Sequence, residues 1–221
     1  MEDNNAAISG EKKAKFQPPK ISYNREQDIR QKIIGILDEL HHVNKDYLEN
    51  ISIAGLLHLK KILSSVNNLI TLYATLGFVN YLLNRDFIDA AQAESMKATI
   101  QSQHANTNGY DIDFTVGKPV IAEVKCNIPV LKVNFGATQI FGIINDLKGL
   151  AFGKNKAHFR KEAYKFMVIL NTDDDSGNTR TQKAIDNIMP KFRKVYDKIM
   201  MIPDDNASLN TETIYIVDLK L

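Results

Sequence analysis

Tryptophan is absent from the 221 residues, and cysteine occurs once, as Cys126. A single thiol cannot form an intrachain disulfide, and it cannot supply the Cys/His spacing of a structural zinc site. The sequence also lacks a run of about 18 uncharged apolar residues and an apolar stretch near its start, so we expect no membrane span and no secretory signal. These absences predict a cytoplasmic protein in a reducing environment.

Neither sign of charge predominates over the whole chain, because 28 Lys and Arg residues against 26 Asp and Glu residues leave a net charge of +2. The sharpest local excess lies at 148–165, where six basic residues oppose one acidic residue. A segment of this kind can contact phosphates, although most runs of charge are only solvated surface. The candidate nucleic-acid-binding residues are Lys148, Lys154, Lys156, Arg160, Lys161 and Lys165.

Changes in apolar periodicity divide the chain into three parts. Residues 1–20 are polar and end in two prolines, which predicts a flexible N-terminal arm. Helical spacing from Arg25 onward, and again over 53–83, predicts a helical part at 21–85 that packs on the core. Residues 86–221 mix helical and alternating patterns and are predicted to form an α/β core. The length suits one compact domain overall.

Within the α/β core, helical spacing, strict alternation and short apolar runs indicate the order of the elements. The residues ATIQSQ at 98–103 are compatible with either a strand or a helix end. The predicted elements are a helix at 86–94, this possible strand at 98–103, a hairpin of strands at 110–116 and 119–126, a helix at 135–150, a buried strand at 165–171, a helix at about 179–200 and a strand at 212–221.

Charged side chains collect on one face of the predicted hairpin. A three-residue loop at 117–119 would place Asp113 directly opposite Glu123. Opposed residues in antiparallel strands have Cβ atoms about 4.5–5.5 Å apart. Two carboxylates at that spacing can share one Mg²⁺ ion, which prefers hard oxygen ligands. A two-residue loop would instead place Asp113 opposite Ala122 and remove the site.

Lys125 follows Glu123 by two positions, so both side chains point to the same face of the strand. An ammonium group beside two carboxylates can orient a water molecule and relay its proton. It can also neutralise charge on a phosphate under attack. The combination predicts hydrolysis of a phosphodiester bond.

The segment NGYDIDFTVGKPVIAEVKCN resembles the PD-(D/E)xK nuclease superfamily, which has the restriction-endonuclease-like fold. In that pattern an Asp on one strand is followed, after a short hairpin, by Glu-x-Lys, and Asp113, Glu123 and Lys125 match it. The resemblance covers about residues 86–171 and implies an αβββαβ core with a mixed central sheet, to which the N-terminal helices are an extension. The proline that precedes the Asp in the family is absent, so Asp111 is retained beside Asp113 as a metal ligand.

The resemblance implies a Mg²⁺-dependent deoxyribonuclease, with Mn²⁺ able to substitute. Size and layout are closest to type II restriction endonucleases, the hydrolases of restriction–modification systems, which usually act on double-stranded DNA as homodimers. The apolar pattern over 53–83 would offer a helical dimer interface. Further residues that the family pattern or the spacing brings near the site are Gln139, Asn127 and Glu94.

Other interpretations stay open at this point. A DNA repair or junction-resolving nuclease would carry the same site. A catalytically inactive nucleic-acid-binding protein would keep the fold without the chemistry, since folds host many functions. A mainly helical interaction protein would have only a salt-bridged polar face on an incidental hairpin.

Overall fold

The computed structural model of the protein describes residues 23–41, 52–104, 109–129, 133–154, 160–173 and 180–221. The N-terminal arm expected at 1–20 lies outside these ranges. The helices are α1 (Arg25–His41), α2 (Ile53–Asn84), α3 (Ala90–Ser102), α4 (Ala137–Phe152) and α5 (Arg180–Val195). The strands are β1 (Ile112–Phe114), β2 (Val120–Lys125), β3 (Tyr164–Leu170), β4 (Ile199–Met201) and β5 (Ile214–Leu219).

The five strands form one mixed sheet in the order β1-β2-β3-β5-β4. β1 runs antiparallel to β2, and the other neighbouring pairs are parallel. Parallel strands are normally covered on both faces, which requires nearly continuous apolar sequence. The run KFMVIL in β3 meets this requirement, and its central residues are buried on both faces. The α/β class and the mixed central sheet are therefore confirmed.

Helices cover the sheet on both faces and create two hydrophobic layers. On one face Phe78 of α2 packs against Phe166 of β3, with ring centroids 5.3 Å apart. On the other face Ile143 of α4 and Phe192 of α5 belong to a second buried cluster, together with Ile121 of β2. Side chains alternate along a strand, so residue 123 of β2 points into this second layer.

The hairpin between β1 and β2 differs from the prediction. Phe114 pairs with Val120 and Asp113 pairs with Ile121, which leaves a five-residue connection at 115–119. The prediction that Asp113 lies opposite Glu123 is therefore wrong. The observed register differs from the predicted register by two positions, so each side chain stays on its predicted face of the sheet. Asp111, and not Asp113, is therefore the residue opposite Glu123.

Docking of the turn on α3 accounts for this register. The Gln92 side-chain amide of α3 donates to the Lys118 carbonyl at 2.9 Å. Gly117 has φ +75°, and a Cβ atom there would lie 2.7 Å from Gln92 Oε1. A side chain at Gly117 would thus be strained as well as crowded. Val116 would share the face of the buried Ile112 and Phe114 if β1 continued, but it is 68% exposed.

The stretch 98–103 belongs to a helix end, not to a strand. α3 begins after Asp89, whose side chain accepts a hydrogen bond from Gln92 N, and it continues to Ser102. Its buried residues Ala93, Met96 and Ile100 lie on one helical face. In the described residues only two strands precede α4, so the αβββαβ order expected from the resemblance is not reproduced. β4 was not predicted, because the helix expected at about 179–200 overlaps its first residues.

The pattern over 53–83 forms a single helix of 32 residues, α2. Its C-terminal half enters the core through buried residues such as Leu72, Phe78 and Leu82. Its N-terminal half carries exposed apolar residues, among them Leu57 and Leu63. By length and composition alone α2 is apolar enough to cross a membrane, a test that core helices of soluble proteins also pass.

Replacement of Phe78 by Ala tests whether this half of α2 is part of the core. Phe78 is fully buried, and truncation of a buried Phe leaves a cavity that costs about 3–5 kcal/mol of unfolding free energy. Urea unfolding should show this loss. Leu63→Ala is the control on the same helix, because Leu63 is 56% exposed and should cost less than about 1 kcal/mol. Equal losses in the two variants would contradict this packing.

Candidate active site

A polar cavity of about 300 Å³ lies beside the end of β2. Its charged lining comes from parts of the chain that are far apart in sequence. Three carboxylates and three cationic side chains face it: Asp111, Glu123 and Asp146, and Arg25, Lys125 and Lys154. The mixture of both signs in a small volume makes this cavity the candidate active site.

Glu123 is the most deeply buried of these charged groups, with 3% exposure. It points from a central strand into the layer beneath α4. Lys154 Nζ lies 2.5 Å from Glu123 Oε1 in an ion pair, but no hydrogen bond of normal geometry reaches that oxygen. Desolvation, followed by the charge of Asp111, raises the pKa of Glu123 to about 8. Burial and Asp111 therefore oppose ionisation of Glu123, whereas the Lys154 ammonium favours it.

Asp111 stands immediately before β1 and faces Glu123 across the hairpin. Its Oδ2 accepts a hydrogen bond from Val124 N at 2.8 Å, which fixes the carboxylate beside β2. Burial raises the pKa of Asp111, although this hydrogen bond and the charge of Lys125 act in the opposite direction. The charge of Asp111 in turn opposes the ionisation of Glu123.

Lys125 points into the same cavity and forms an ion pair with Asp146 of α4. Asp146 also lies 3.6 Å from Lys154 Nζ, so it links the two lysines. Sequence reasoning missed Asp146. The available signal was that it is the only acidic residue in the largely apolar segment ATQIFGIINDLKGLAF.

Lys154 was predicted to contact nucleic acid but lies inside the cavity. Its ammonium donates to the Gly109 carbonyl at 3.0 Å and stands over the Tyr110 ring. The aliphatic stem crosses the last turn of α4 at Gly149, where a Cβ atom would lie 2.9 Å from Lys154 Cγ. The absence of a side chain at Gly149 therefore lets Lys154 reach Glu123.

Asp113, the preferred metal ligand of the sequence analysis, does not face this cavity. Its Oδ1 accepts a hydrogen bond from Arg160 Nε at 2.8 Å. The register of the hairpin places it opposite Ile121. The structure therefore brings Asp111, Glu123 and Lys125 together and gives Asp113 a separate ion pair.

The three predicted site neighbours lie in different places. Glu94 is exposed on α3 and pairs with Lys97 at 2.9 Å, away from the cavity. Gln139 accepts from Gly136 N at the start of α4 and donates to the Ile128 carbonyl. Together with Asn127 it lines an adjoining cavity of about 460 Å³, which shares Lys125 with the first.

The basic residues predicted at 148–165 do not form one continuous exposed surface. Lys165 is only 4% exposed, and its ammonium donates to the carbonyls of Lys161, Ala163 and Thr211. An ammonium has three donors, so Lys165 has no donor left for a phosphate in this arrangement. Lys148 and Lys161 are exposed. Lys156 lies outside the described residues.

The donors at this site suit a hard divalent cation. In the described ranges no group of three or more His, Cys, Asp or Glu side chains converges as a metal cage. Mg²⁺ does not need such a cage, because it commonly binds through one or two carboxylates and completes its shell with water and substrate phosphate. Asp111 and Glu123 would hold it, and the Glu123 oxygen that lacks a normal hydrogen bond fits this role.

Comparison of the chain with protein-family models, with curated proteins and with solved structures found no match. The function is therefore argued from the site itself.

Replacement of Glu123 by Gln should change how stability depends on pH. A folded-state pKa raised from 4.5 to about 8 means that the folded protein holds a proton that the unfolded chain has released. The stability associated with this group is full below pH 4.5 and is lost as the pH rises to about 8. Glu123→Gln avoids this loss, so its unfolding free energy should exceed that of wild type by about 2–4 kcal/mol at about pH 9.

Chemical denaturation in metal-free buffer across the pH range measures this difference. Glu94→Gln is the matched control, because it makes the same substitution at an exposed position of α3, away from the cavity. If the curves of Glu123→Gln and wild type ran parallel, Glu123 would not titrate as proposed.

Proposed function

We propose that this protein is a Mg²⁺-dependent endonuclease that hydrolyses DNA phosphodiester bonds, with Mn²⁺ able to replace Mg²⁺. The observation that carries the proposal is the convergence of Asp111, Glu123 and Lys125 in one polar cavity. Two carboxylates and an ammonium at the end of a sheet strand are the groups that metal-assisted attack of water on phosphorus requires.

Asp111, just before β1, and Glu123, on β2, would bind the cation from the two facing segments of the hairpin. Mg²⁺, when bound, supplies Lewis acidity toward a phosphate oxygen and toward the attacking water. A positive charge at this position also favours the ionised form of Glu123, whose pKa is raised by burial. Lys154 Nζ, now paired with Glu123, would shift toward Asp146, which it already approaches.

Lys125 would position the attacking water and stabilise the reacting phosphate. Its ion pair with Asp146 holds the ammonium at the cavity wall. From there it can donate a hydrogen bond to the water oxygen and offset the negative charge that develops on the phosphate. Water adds to phosphorus as one P–O ester bond breaks, which yields a phosphomonoester and a hydroxyl end.

Within this class we favour a type II restriction endonuclease that acts in the cytoplasm on double-stranded DNA. The exposed Lys148 and Lys161 are available to contact the DNA backbone. A homodimer would cut both strands, and the exposed apolar side chains of Leu57 and Leu63 on α2 suit such an interface. A repair or junction-resolving nuclease would use the same site on another DNA form.

Two observations favour a second candidate, a catalytically inactive nucleic-acid-binding protein. The Lys154 ammonium already compensates Glu123 in the structure, and the described residues contain no cage of three metal-ligating side chains. Such a protein would bind DNA by its basic side chains and would not respond to Mg²⁺. Metal-dependent cleavage separates the two candidates.

Asp111→Asn and Asp113→Asn should have unequal effects on cleavage. Asp111 faces Glu123 in the cavity, whereas Asp113 pairs with Arg160. Loss of a metal-binding carboxylate should reduce the rate of plasmid cleavage in Mg²⁺ at least about 100-fold. Asp113→Asn keeps the shape of the side chain outside the cavity and should retain activity within about threefold. Plasmid nicking and linearisation on agarose gels measure both rates.

Thermal melts of both variants are the control for folding. The assignment fails if Asp113→Asn is the inactive variant and Asp111→Asn is active. The nuclease proposal fails if folded wild-type protein cuts no plasmid, linear duplex, branched or single-stranded DNA in Mg²⁺ or Mn²⁺.

Binding of Mg²⁺ should tighten as the pH rises. The ion requires ionised carboxylates, and the pKa of Glu123 is raised to about 8, so binding must displace a proton at neutral pH. Each unit of pH between about 6 and 8 should therefore increase the affinity by up to about tenfold. Calorimetry in two buffers of different ionisation enthalpy measures both the affinity and the released proton. Affinity that does not depend on pH would contradict a site built on Glu123.

A further inference from the structure

Arg25 also lines the cavity, and it comes from α1, outside the segment that resembles a nuclease. The Nε atom of Arg25 is buried and has no hydrogen-bond partner. No carboxylate of the described residues lies within ion-pair distance of this guanidinium. Buried donors are nearly always satisfied in folded proteins, so an unused one facing a polar cavity calls for a ligand.

Contacts on both sides of Arg25 hold α1 in place. The Tyr23 ring packs against the His104 ring, with centroids 4.1 Å apart. On the other side, Tyr73 of α2 donates to Glu26 Oε1 at 3.0 Å. The backbone that carries Arg25 is therefore fixed between α2 and the end of α3, and its side chain has a defined approach to the cavity.

The chemistry of the cavity indicates which ligand Arg25 would accept. Lys125 pairs with Asp146, and Lys154 pairs with Glu123 and approaches Asp146, so both ammonium groups already have partners. Arg25 is the cationic lining group with an unused buried donor. A guanidinium presents several N–H groups in a planar fork that matches two oxygens of a phosphate. Burial is costly for the Arg25 cation, and the charge of Asp111 offsets it only in part, since desolvation is the larger effect and lowers the pKa of Arg25. A bound anion would reduce that cost further.

We propose that Arg25 binds the two nonbridging oxygens of the phosphate group in this cavity. The inference rests on the proposed function, because it assigns Arg25 to the phosphodiester that Asp111, Glu123 and Lys125 would hydrolyse. Arg25 is then a substrate-binding residue, and the N-terminal helical part completes the active site. The test must therefore include a measurement of phosphate binding that does not depend on cleavage.

Arg25→Gln and Arg25→Lys are compared with wild type and with Arg193→Gln. Arg193 is an exposed arginine on α5, so its replacement removes the same charge away from the cavity. The first measurement is the Michaelis constant for DNA cleavage in Mg²⁺. The second is the dissociation constant of inorganic phosphate, obtained from the rise in melting temperature of metal-free protein.

Arg25→Gln should raise KM for DNA at least about tenfold and weaken phosphate binding by a similar factor, because a charge-assisted bidentate contact is lost. Arg193→Gln should match wild type in both measurements. If Arg25→Gln does not fold, Arg25→Lys decides: loss of the planar fork should raise KM at least about threefold, and a wild-type KM would overturn the proposal.

The two measurements also separate the failure of this inference from failure of the nuclease function. If wild type cleaves DNA and Arg25→Gln binds phosphate as tightly as wild type, the proposed role of Arg25 is overturned, whatever the KM of the variant. The nuclease function then still stands. If wild type cuts no DNA, the nuclease fails, and phosphate binding that is lost in Arg25→Gln still supports the anion site. If wild type and Arg25→Gln bind phosphate equally, or neither binds it, the anion site at Arg25 is overturned.

Discussion

The buried carboxylate of Glu123 is the constraint on which the rest of the site depends. A parallel strand covered on both faces is a costly position for an ionisable group. The neighbouring lysines reduce this cost, because Lys154 lies against Glu123 and Asp146 links Lys154 to Lys125. Asp111 nevertheless adds a second negative charge at the same place. An arrangement that opposes ionisation in this way is typical of sites where function, not stability, determines the residues.

The fold places this site where several parts of the chain meet. β2 supplies Glu123 and Lys125, the approach to β1 supplies Asp111, and α4 with the residues after it supplies Asp146 and Lys154. Arg25 arrives from α1, which packs against α2. The helical part and the α/β part are therefore both needed to enclose one polar cavity. The lining of the cavity therefore includes a helix that no pattern in the α/β part would indicate.

Local patterns predicted those features that depend on neighbours in sequence. The apolar run of β3 indicated a buried strand, and the spacing of Glu123 and Lys125 put both on one face whatever the register. The register itself depends on Gln92 of α3, which holds Lys118 of the turn, and sequence spacing carries no information on that contact. Asp111 was therefore ranked below Asp113. Asp146 and Arg25 reach the cavity only through tertiary packing, which a linear pattern does not encode.

The most direct test of the central claim is the position of a divalent cation in crystals grown with Mn²⁺, located by its anomalous scattering. We expect one peak in contact with carboxylate oxygens of both Asp111 and Glu123, at about 2.0–2.2 Å, with the Lys154 ammonium moved away from Glu123. A peak at Asp113 would contradict the proposed metal site. So would the absence of a peak at Glu123 while Lys154 remains in its ion pair.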